Sequence, residues 1–181
     1  KDLNVWVSEF GGNRIRLVKK DGTVVTVAGS GEKGSADGTG TKAQFNAPAG
    51  IALDPSGNLV VADSGNGAVR KVTPEGKVTT LATKFKTPMG VAVNAAGETF
   101  VADIGLSRIR KVLPDGTVEP FSGSGAIGND DGSDESCKYY HPTGLALVGK
   151  SIYVTDAGAN VVRRLTSTGI SSLYAGSGTE G

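Results

Sequence analysis

The residues with the clearest potential for chemistry are acids and arginines that recur in pairs at one fixed spacing. Each acid is followed by a glycine two residues later and by an arginine seven residues later. The four pairs are Glu9 with Arg16, Asp63 with Arg70, Asp103 with Arg110, and Asp156 with Arg163. A catalytic group needs a unique environment, whereas a group present in every unit usually serves the unit. We therefore expect these pairs to form ion pairs or to cap turns within or between units, and we assign no catalytic residue.

Residues that break the repeat are better candidates for a ligand-binding site. His141 is the only histidine of the chain, and Ala47 and Thr87 stand at its counterparts. Tyr140 beside it is equally singular. Imidazole can act as a base, a metal ligand or a hydrogen-bonding wall, although a loop histidine without chemistry is the simpler interpretation.

A second set of repeat-breaking residues lies in a Pro-x-Gly phrase that precedes three of the acid–arginine pairs. The phrase reads PAGIAL from Pro48, PMGVAV from Pro88 and PTGLAL from Pro142. Met89 and Thr143 fill the middle position of two of these phrases. The predicted ligand-binding residues are therefore Tyr140, His141, Met89 and Thr143.

Metal and cofactor sites are not predicted. The acids Asp130, Asp131, Asp134 and Glu135 lie close together, but their spacing is not that of an EF-hand loop. ADG and DDG are typical of turns in which Asp bonds its own backbone. A single histidine cannot build a zinc site of several histidines, and neither a Gly-x-Ser-x-Gly elbow nor a P-loop occurs in the sequence.

The elements that must position these residues are short strands separated by glycine-rich turns. In the third unit we predict strands at about 90–93, 99–102, 108–112 and 117–121. Segments such as NLVVAD and SIYVTD are apolar on both faces, so neighbouring sheets must cover both faces. The predicted fold is an all-β propeller of four-stranded antiparallel blades, with one domain over residues 1–181 and repeats at about 1–29, 46–83, 86–123 and 140–176.

Two inserts of equal length lengthen alternate units. They run from Gly29 to Pro48 and from Gly123 to Pro142, so the chain resembles two copies of a two-blade unit. Successive turns of an antiparallel blade alternate between its two ends. The inserts, the acid-x-Gly turns and the starts of the Pro-x-Gly strands should therefore share one rim. We expect ligands to bind at that rim.

The repeat resembles the NHL repeat family, most closely in FNAPAGIALDPSGNLVVADSGNGAVRKVTPEGKVTTLA from Phe45 to Ala82. The resemblance implies a propeller, commonly of six blades, that binds proteins, RNA or other ligands and in a few branches catalyses reactions. It therefore leaves the function open.

Charge and length restrict the partners. The formal net charge of the 181 residues is +1, which does not favour nucleic acid as a partner, and the sequence has no apolar run long enough to span a membrane. The first unit lacks an innermost strand, so about 3.75 blades are predicted. We expect the missing blades of a longer protein, or another copy of the chain, to complete the propeller.

Two functions remain open at this point. The first is a non-catalytic recognition or scaffold module that binds a protein or small ligand on the insert-bearing rim. The alternative is a propeller hydrolase or lyase, lactonase-like or similar to the NHL-type lyases, whose site is completed by blades absent from this sequence.

Overall fold

The structure is a computed structural model that describes residues 4–133 and 135–180. Its regular elements are short strands, joined by turns and by four single-turn 3-10 helices within the described residues. The strands are β1 (Val5–Glu9), β2 (Arg14–Val18), β3 (Val24–Ala28), β4 (Gly38–Thr39), β5 (Pro48–Leu53), β6 (Leu59–Asp63), β7 (Ala68–Val72), β8 (Lys77–Ala82), β9 (Pro88–Val93), β10 (Thr99–Asp103), β11 (Arg108–Val112), β12 (Val118–Ser122), β13 (Pro142–Val148), β14 (Ser151–Asp156), β15 (Val161–Leu165) and β16 (Ser171–Ala175). The 3-10 helices are Gly40–Lys42, Ser64–Asn66, Ile104–Leu106 and Ala157–Ala159.

The strands form four antiparallel sheets, each built from consecutive strands. Blade 1 is β1-β2-β3, blade 3 is β9 to β12, and blade 4 is β13 to β16. Blade 2 is β5 to β8 and carries β4 as a fifth strand on its outer edge. The predicted all-β class and four-stranded antiparallel blades are confirmed, and the first blade has three strands in the described residues, as its sequence indicates.

The blades pack face to face, and the core lies between them. Trp6 and Ile15 of blade 1 pack against Leu59 and Val61 of blade 2, and similar clusters join blades 2 and 3 and blades 3 and 4. All five residues of β6 and of β10 are buried. A strand that is covered on both faces must be apolar on both faces, which explains the continuous apolar runs.

The innermost strands β5, β9 and β13 approach each other closely. A Cβ atom on Gly50 would lie 2.3 Å from the carbonyl oxygen of Met89, and one on Gly90 would lie 2.2 Å from that of Thr143. Only glycine leaves room for backbone so near. The Pro-x-Gly phrase is therefore the contact by which neighbouring blades meet around the axis.

The two inserts run outward and cover the outer edges of blades 2 and 4. In the first insert, β4 pairs with β8, with Gly38 opposite Val78. In the second, Gly132 forms an antiparallel bridge with Ser171 of β16. The amide of Asn66 donates to the carbonyl of Gly34 at 2.8 Å, which holds the first insert beside the turn after β6.

Each insert also delivers a carboxylate to a buried arginine. Arg70 bonds Asp63 of its own blade at 2.8 Å and Asp37 of the insert at 2.7 Å. Arg163 pairs in the same way with Asp156 at 3.3 Å and Asp131 at 2.7 Å. Both arginines are buried. Two acids around one buried guanidinium offset the cost of removing its charge from water.

The pKa of Asp37 reflects this pairing. Partial burial acts to raise the pKa, but hydrogen bonds from Arg70 and from Thr80 outweigh it and hold the pKa below its usual value. The ionised form of Asp37 is therefore the one that ties the insert to blade 2.

Blade 3 departs from the predicted pairing. Asp103 is buried, but its carboxylate accepts hydrogen bonds from the backbone N–H groups of Lys86 at 2.9 Å and Thr87 at 2.8 Å. Arg110 donates instead to the carbonyl oxygen of Lys84 at 3.0 Å. The expected ion pair of Asp103 with Arg110 does not form. The capping role that the sequence allowed is the one observed.

The first and last blades each present an apolar face that no blade covers among the described residues. Blade 1 exposes Val5 and Val7, and blade 4 exposes Val148 and Tyr174. Tyr174 and Tyr153 form an aromatic pair with ring centroids 4.8 Å apart. The pair has the sequence register of Phe100 and Phe121, which lie 4.7 Å apart in blade 3 and are buried beneath blade 4.

We expect Asp103→Ala to lower the free energy of unfolding by about 2 to 4 kcal/mol, since it removes a buried carboxylate and leaves the N–H groups of Lys86 and Thr87 without their acceptor. Urea unfolding measures the change. Asp115→Ala, in an exposed turn of the same blade, is the control. A fully stable Asp103→Ala variant would contradict the structural role.

We expect Asp37→Asn to destabilise the protein at pH 7 by about 1 kcal/mol or less, because half of the Asp37 side chain is exposed. Because the folded pKa of Asp37 is lowered, its stabilising effect is complete above the unfolded pKa and is lost as the pH falls through the folded pKa. The difference between wild type and variant should therefore be constant from pH 7 down to about pH 5 and shrink as the pH falls below about 4. Glu32→Gln, at an exposed position of the same insert, is the control and should change the free energy of unfolding less. If the effect of Asp37→Asn on the free energy of unfolding did not depend on pH, this assignment would be contradicted.

Candidate ligand-binding cleft and rim

An open cleft of about 570 Å³ lies where the innermost strands meet the end of β1. Its lining combines exposed backbone of three Pro-x-Gly phrases with a few side chains from β1 and β14. The lining residues are Ser8, Phe10, Pro48, Ala49, Gly50, Ile51, Met89, Gly90, Val91, Thr143, Gly144, Leu145 and Thr155. We call this the axial cleft. It owes its shape to the glycine contacts that bring the inner strands together.

The polar side chains of the axial cleft are hydroxyls. Thr143 Oγ1 and Thr155 Oγ1 lie 2.9 Å apart, and the backbone N–H of Gly144 donates to Thr155 Oγ1 at 2.7 Å. Ser8 Oγ donates to the carbonyl of Ala49. None of the lining residues has an ionisable side chain. The cleft can therefore offer hydroxyls, carbonyls and apolar surface, but no general acid or base of its own.

Met89 supplies a flexible apolar side chain to this cleft. Its Sδ atom lies 3.6 Å from the hydroxyl oxygen of Ser64, at the turn that follows β6. Methionine is unbranched and adapts its shape to a partner. Met89 therefore links the axial cleft to the rim formed by the turns.

Tyr140 and His141 lie on that rim, at the entrance to β13. Their ring centroids are 4.7 Å apart and the rings are tilted by 43°. Tyr140 is 42% exposed and His141 is also exposed. Each ring belongs to a side chain exposed to solvent, so a planar ligand group can stack on one of them.

The backbone holds this ring pair in place. The N–H of Tyr140 donates to Asp156 Oδ1 at 2.8 Å, and its carbonyl accepts from the N–H of Gly158 at 2.7 Å. The carbonyl of His141 accepts from the N–H of Ala157 at 3.0 Å. His141 has a φ of 67°, in the left-handed region, as does its counterpart Ala47 at 52°. The fold thus imposes the conformation, and the side chain is what differs between the two inserts.

Asp156, beneath this pair, has a structural role. Burial raises the pKa of its carboxyl group, although the N–H of Tyr140 and the guanidinium of Arg163 act in the opposite direction. All of its hydrogen bonds run to the rim backbone and to Arg163. Asp156 therefore supports Tyr140 and does not face the cleft.

The structure brings two of the four predicted binding residues together. Met89 and Thr143 line the axial cleft, whereas Tyr140 and His141 lie on the rim and do not line it. The sequence interpretation missed Ser8, Thr155 and Phe10. Ser8 and Thr155 directly precede the repeated acid, where blades 2 and 3 have alanine. Polar residues at that repeat position were the signal that could have identified them.

Within 4–133 and 135–180, no three His, Cys, Asp or Glu side chains are grouped so as to hold a metal ion. Over the same residues, no helix has the length and apolar character to cross a membrane.

Comparison with known sequences identifies the repeat. The family model described as NHL repeat matches residues 45–72. The chain is also 45% identical over 49 residues to the Arabidopsis thaliana protein SUPPRESSOR OF QUENCHING 1, chloroplastic. That alignment covers 27% of this chain and 5% of the relative, so it concerns a short stretch of both proteins.

Comparison with solved structures identifies the fold. A streptogramin B lyase structure superposes with a TM-score of 0.69 at 17% identity, covering 94% of this chain and 50% of the lyase. Virginiamycin B lyase from Staphylococcus aureus gives a TM-score of 0.58 at 20% identity, covering 94% of this chain and 66% of the lyase. Its catalytically inactive histidine-to-alanine variant with quinupristin gives 0.58 at 19%. This chain thus spans about half to two thirds of these proteins. It is a partial β-propeller with an NHL repeat at residues 45–72.

Proposed function

We propose that this propeller arc is a non-catalytic recognition module that binds a protein segment or small ligand at the axial cleft and its rim. The observation that carries the proposal is the lining of the cleft, in which hydroxyls, carbonyls and apolar groups occur without an ionisable side chain. Such a surface fixes a ligand by shape and hydrogen bonds and lacks the groups for acid–base chemistry.

The lining favours a ligand that is uncharged where it enters the cleft. A buried charge would lose its hydration and meet no opposite charge there. An apolar side chain fits beside Met89 and Val91, and an amide group can bond the hydroxyls and exposed backbone. A planar group of the same ligand can stack on Tyr140 and His141, which lie at the entrance to the strand that carries Thr143. A peptide with an aromatic residue has this combination of groups.

We also propose that another blade covers the open faces of blades 1 and 4. Its source is either a second copy of the chain or further blades of a longer protein. The support is the register match between the Tyr153–Tyr174 pair, in which Tyr174 is exposed, and the Phe100–Phe121 pair, which blade 4 buries. Light scattering should report a dimer or larger species if a second copy is the source. A monomer that binds no hydrophobic dye and melts cooperatively would contradict exposed blade faces.

A second candidate is a propeller lyase. The favouring observation is the similarity to the two lyases over 94% of this chain. In this chain the imidazole of His141 on the rim would be the group to move a proton, with the remaining groups supplied by blades outside these residues. Recognition is preferred because the axial cleft itself has no such group.

We expect Met89→Glu to weaken binding at the axial cleft at least tenfold, because the carboxylate would be desolvated without a partner. The probe is a peptide selected on the wild-type protein from a library of random linear and cyclic peptides, with affinity measured by fluorescence anisotropy. Glu75→Gln, at an exposed turn on the opposite end of blade 2, is the control and should bind as wild type.

Two results would contradict the recognition proposal. One is crosslinking of the selected peptide to the opposite rim, near the turns at residues 74–76 and 114–116. The other is chemical conversion of quinupristin by the protein, detected by mass spectrometry and abolished in His141→Ala, which would support the lyase. Unchanged quinupristin together with loss of peptide binding in Met89→Glu would support recognition.

A further inference from the structure

Three arginines of the repeat occupy the same stacked position. In each of blades 2, 3 and 4, the guanidinium carbon lies over the ring of the aromatic residue that precedes the inner strand. The pairs are Arg70 over Phe45 at 5.3 Å, Arg110 over Phe85 at 5.6 Å and Arg163 over Tyr139 at 5.3 Å. The aromatic ring fixes the guanidinium plane in all three blades.

In blades 2 and 4 an insert carboxylate fills the next position. Asp37 binds Arg70 and also accepts from the N–H of Thr80 at 3.1 Å. Asp131 binds Arg163 and also accepts from the N–H of Leu173. In both inserts the acid is followed by glycine, and that glycine pairs with the outer strand of the blade. An extended Asp-Gly segment is therefore the group that this fold places against the repeated arginine.

Blade 3 has the arginine without the segment. Its preceding link, residues 83–87, is too short to reach the outer strand, and β12 has no strand beyond it in the described part of the chain. Arg110 is half-buried, whereas Arg70 and Arg163 are 0% and 1% exposed. Within 4–133 and 135–180, no carboxylate lies within 4.0 Å of Arg110.

The surroundings of Arg110 add to its positive charge. Lys84 and Lys86 are both exposed and flank the aromatic Phe85. Neither forms an ion pair with a described residue, and the nearby Asp103 is buried and directed to backbone N–H groups. The outer corner of blade 3 thus combines a positioned guanidinium, two lysines and a strand edge that no described residue pairs with. The acid of that strand, Glu119, is bound to Lys111 at 3.0 Å. We call these residues, Lys84, Lys86, Arg110 and β12, the blade 3 groove.

We propose that the blade 3 groove binds an acidic, extended Asp-Gly segment of a partner protein, with the aspartate against Arg110 as Asp37 lies against Arg70. The segment adds a short antiparallel strand outside β12, as β4 does outside β8. The site is separate from the axial cleft, so it does not depend on the function proposed for that cleft.

One residue sets the strength of this site. Pro120 stands at the position of Thr80 and Leu173, ten residues after the arginine. Proline has no N–H, so the groove lacks the backbone donor that holds the second carboxylate oxygen in blades 2 and 4. We therefore expect reversible binding, in contrast to the fixed inserts. Pro120→Thr should restore the donor and tighten binding about fivefold.

The second insert supplies a ready probe. The nonapeptide GNDDGSDES, residues 128–136, is labelled with fluorescein and titrated against the intact chain by fluorescence anisotropy. We expect binding that weakens as NaCl is raised. The matched control peptide is GNDNGSDES, in which the Asp131 equivalent is asparagine. It should bind roughly tenfold more weakly.

Protein variants then locate the site. Arg110→Gln should weaken binding of GNDDGSDES roughly tenfold or more, and so should Lys84→Ser with Lys86→Ser, which leaves the buried residues untouched. Lys150→Gln, an exposed lysine on blade 4, removes one charge elsewhere and should have no effect. Thermal melts show whether each variant is folded. Should Arg110→Gln fail to fold, the double lysine variant and Pro120→Thr decide the question.

Several outcomes would overturn the proposal. Equal affinity for the two peptides would show that the aspartate does not bind the guanidinium of Arg110. Unchanged affinity in the folded Arg110→Gln variant, or weaker binding in Pro120→Thr, would place the peptide elsewhere. Tighter binding of a uridine oligonucleotide of equal charge would identify the groove as a phosphate-binding surface instead.

Discussion

The structure depends on the burial of sheets that are apolar on both faces. Each blade has a core only because its neighbours cover it, as Leu59 and Val61 show against blade 1 and Ala62 and Val69 against blade 3. At the axis this packing is closest, and Gly50 and Gly90 meet neighbouring backbone there. The axial cleft is a consequence, because strands that meet through glycine leave backbone and small side chains on its wall.

The same packing decides which charges are available at the surface. Arg70 and Arg163 are buried between a blade and an insert, and each is surrounded by two carboxylates. Two insert acids, Asp37 and Asp131, are therefore held in pairs with these arginines, whereas Glu32 and Glu135 are exposed. Tyr140 and His141 add exposed rings to the rim. The packing thus decides which of the insert acids a ligand can reach.

Blades that share a sequence pattern are not equivalent. Blades 2 and 4 carry inserts on their outer edges, whereas no described residue covers the edge of blade 3 or places a carboxylate beside its arginine. Pro120 accompanies this difference, since a residue without an N–H fits a strand edge that no insert of the chain covers. In a repeat protein, binding sites can arise from the residues that differ between otherwise similar blades.

The sequence by itself determined the repeat, the strands of each blade and the placement of Met89 and Thr143 near the axis, because strand alternation and turn chemistry are local properties. It did not determine that Asp103 would cap backbone N–H groups while Asp63 pairs with Arg70, because both acids are followed by an arginine at the same spacing of seven residues. Nor did it place Ser8 beside Ala49, or Asp37 against Arg70 thirty-three residues away. Those contacts join different blades or an insert to a blade. Only the tertiary packing, which sets the distance between segments remote in sequence, decided them.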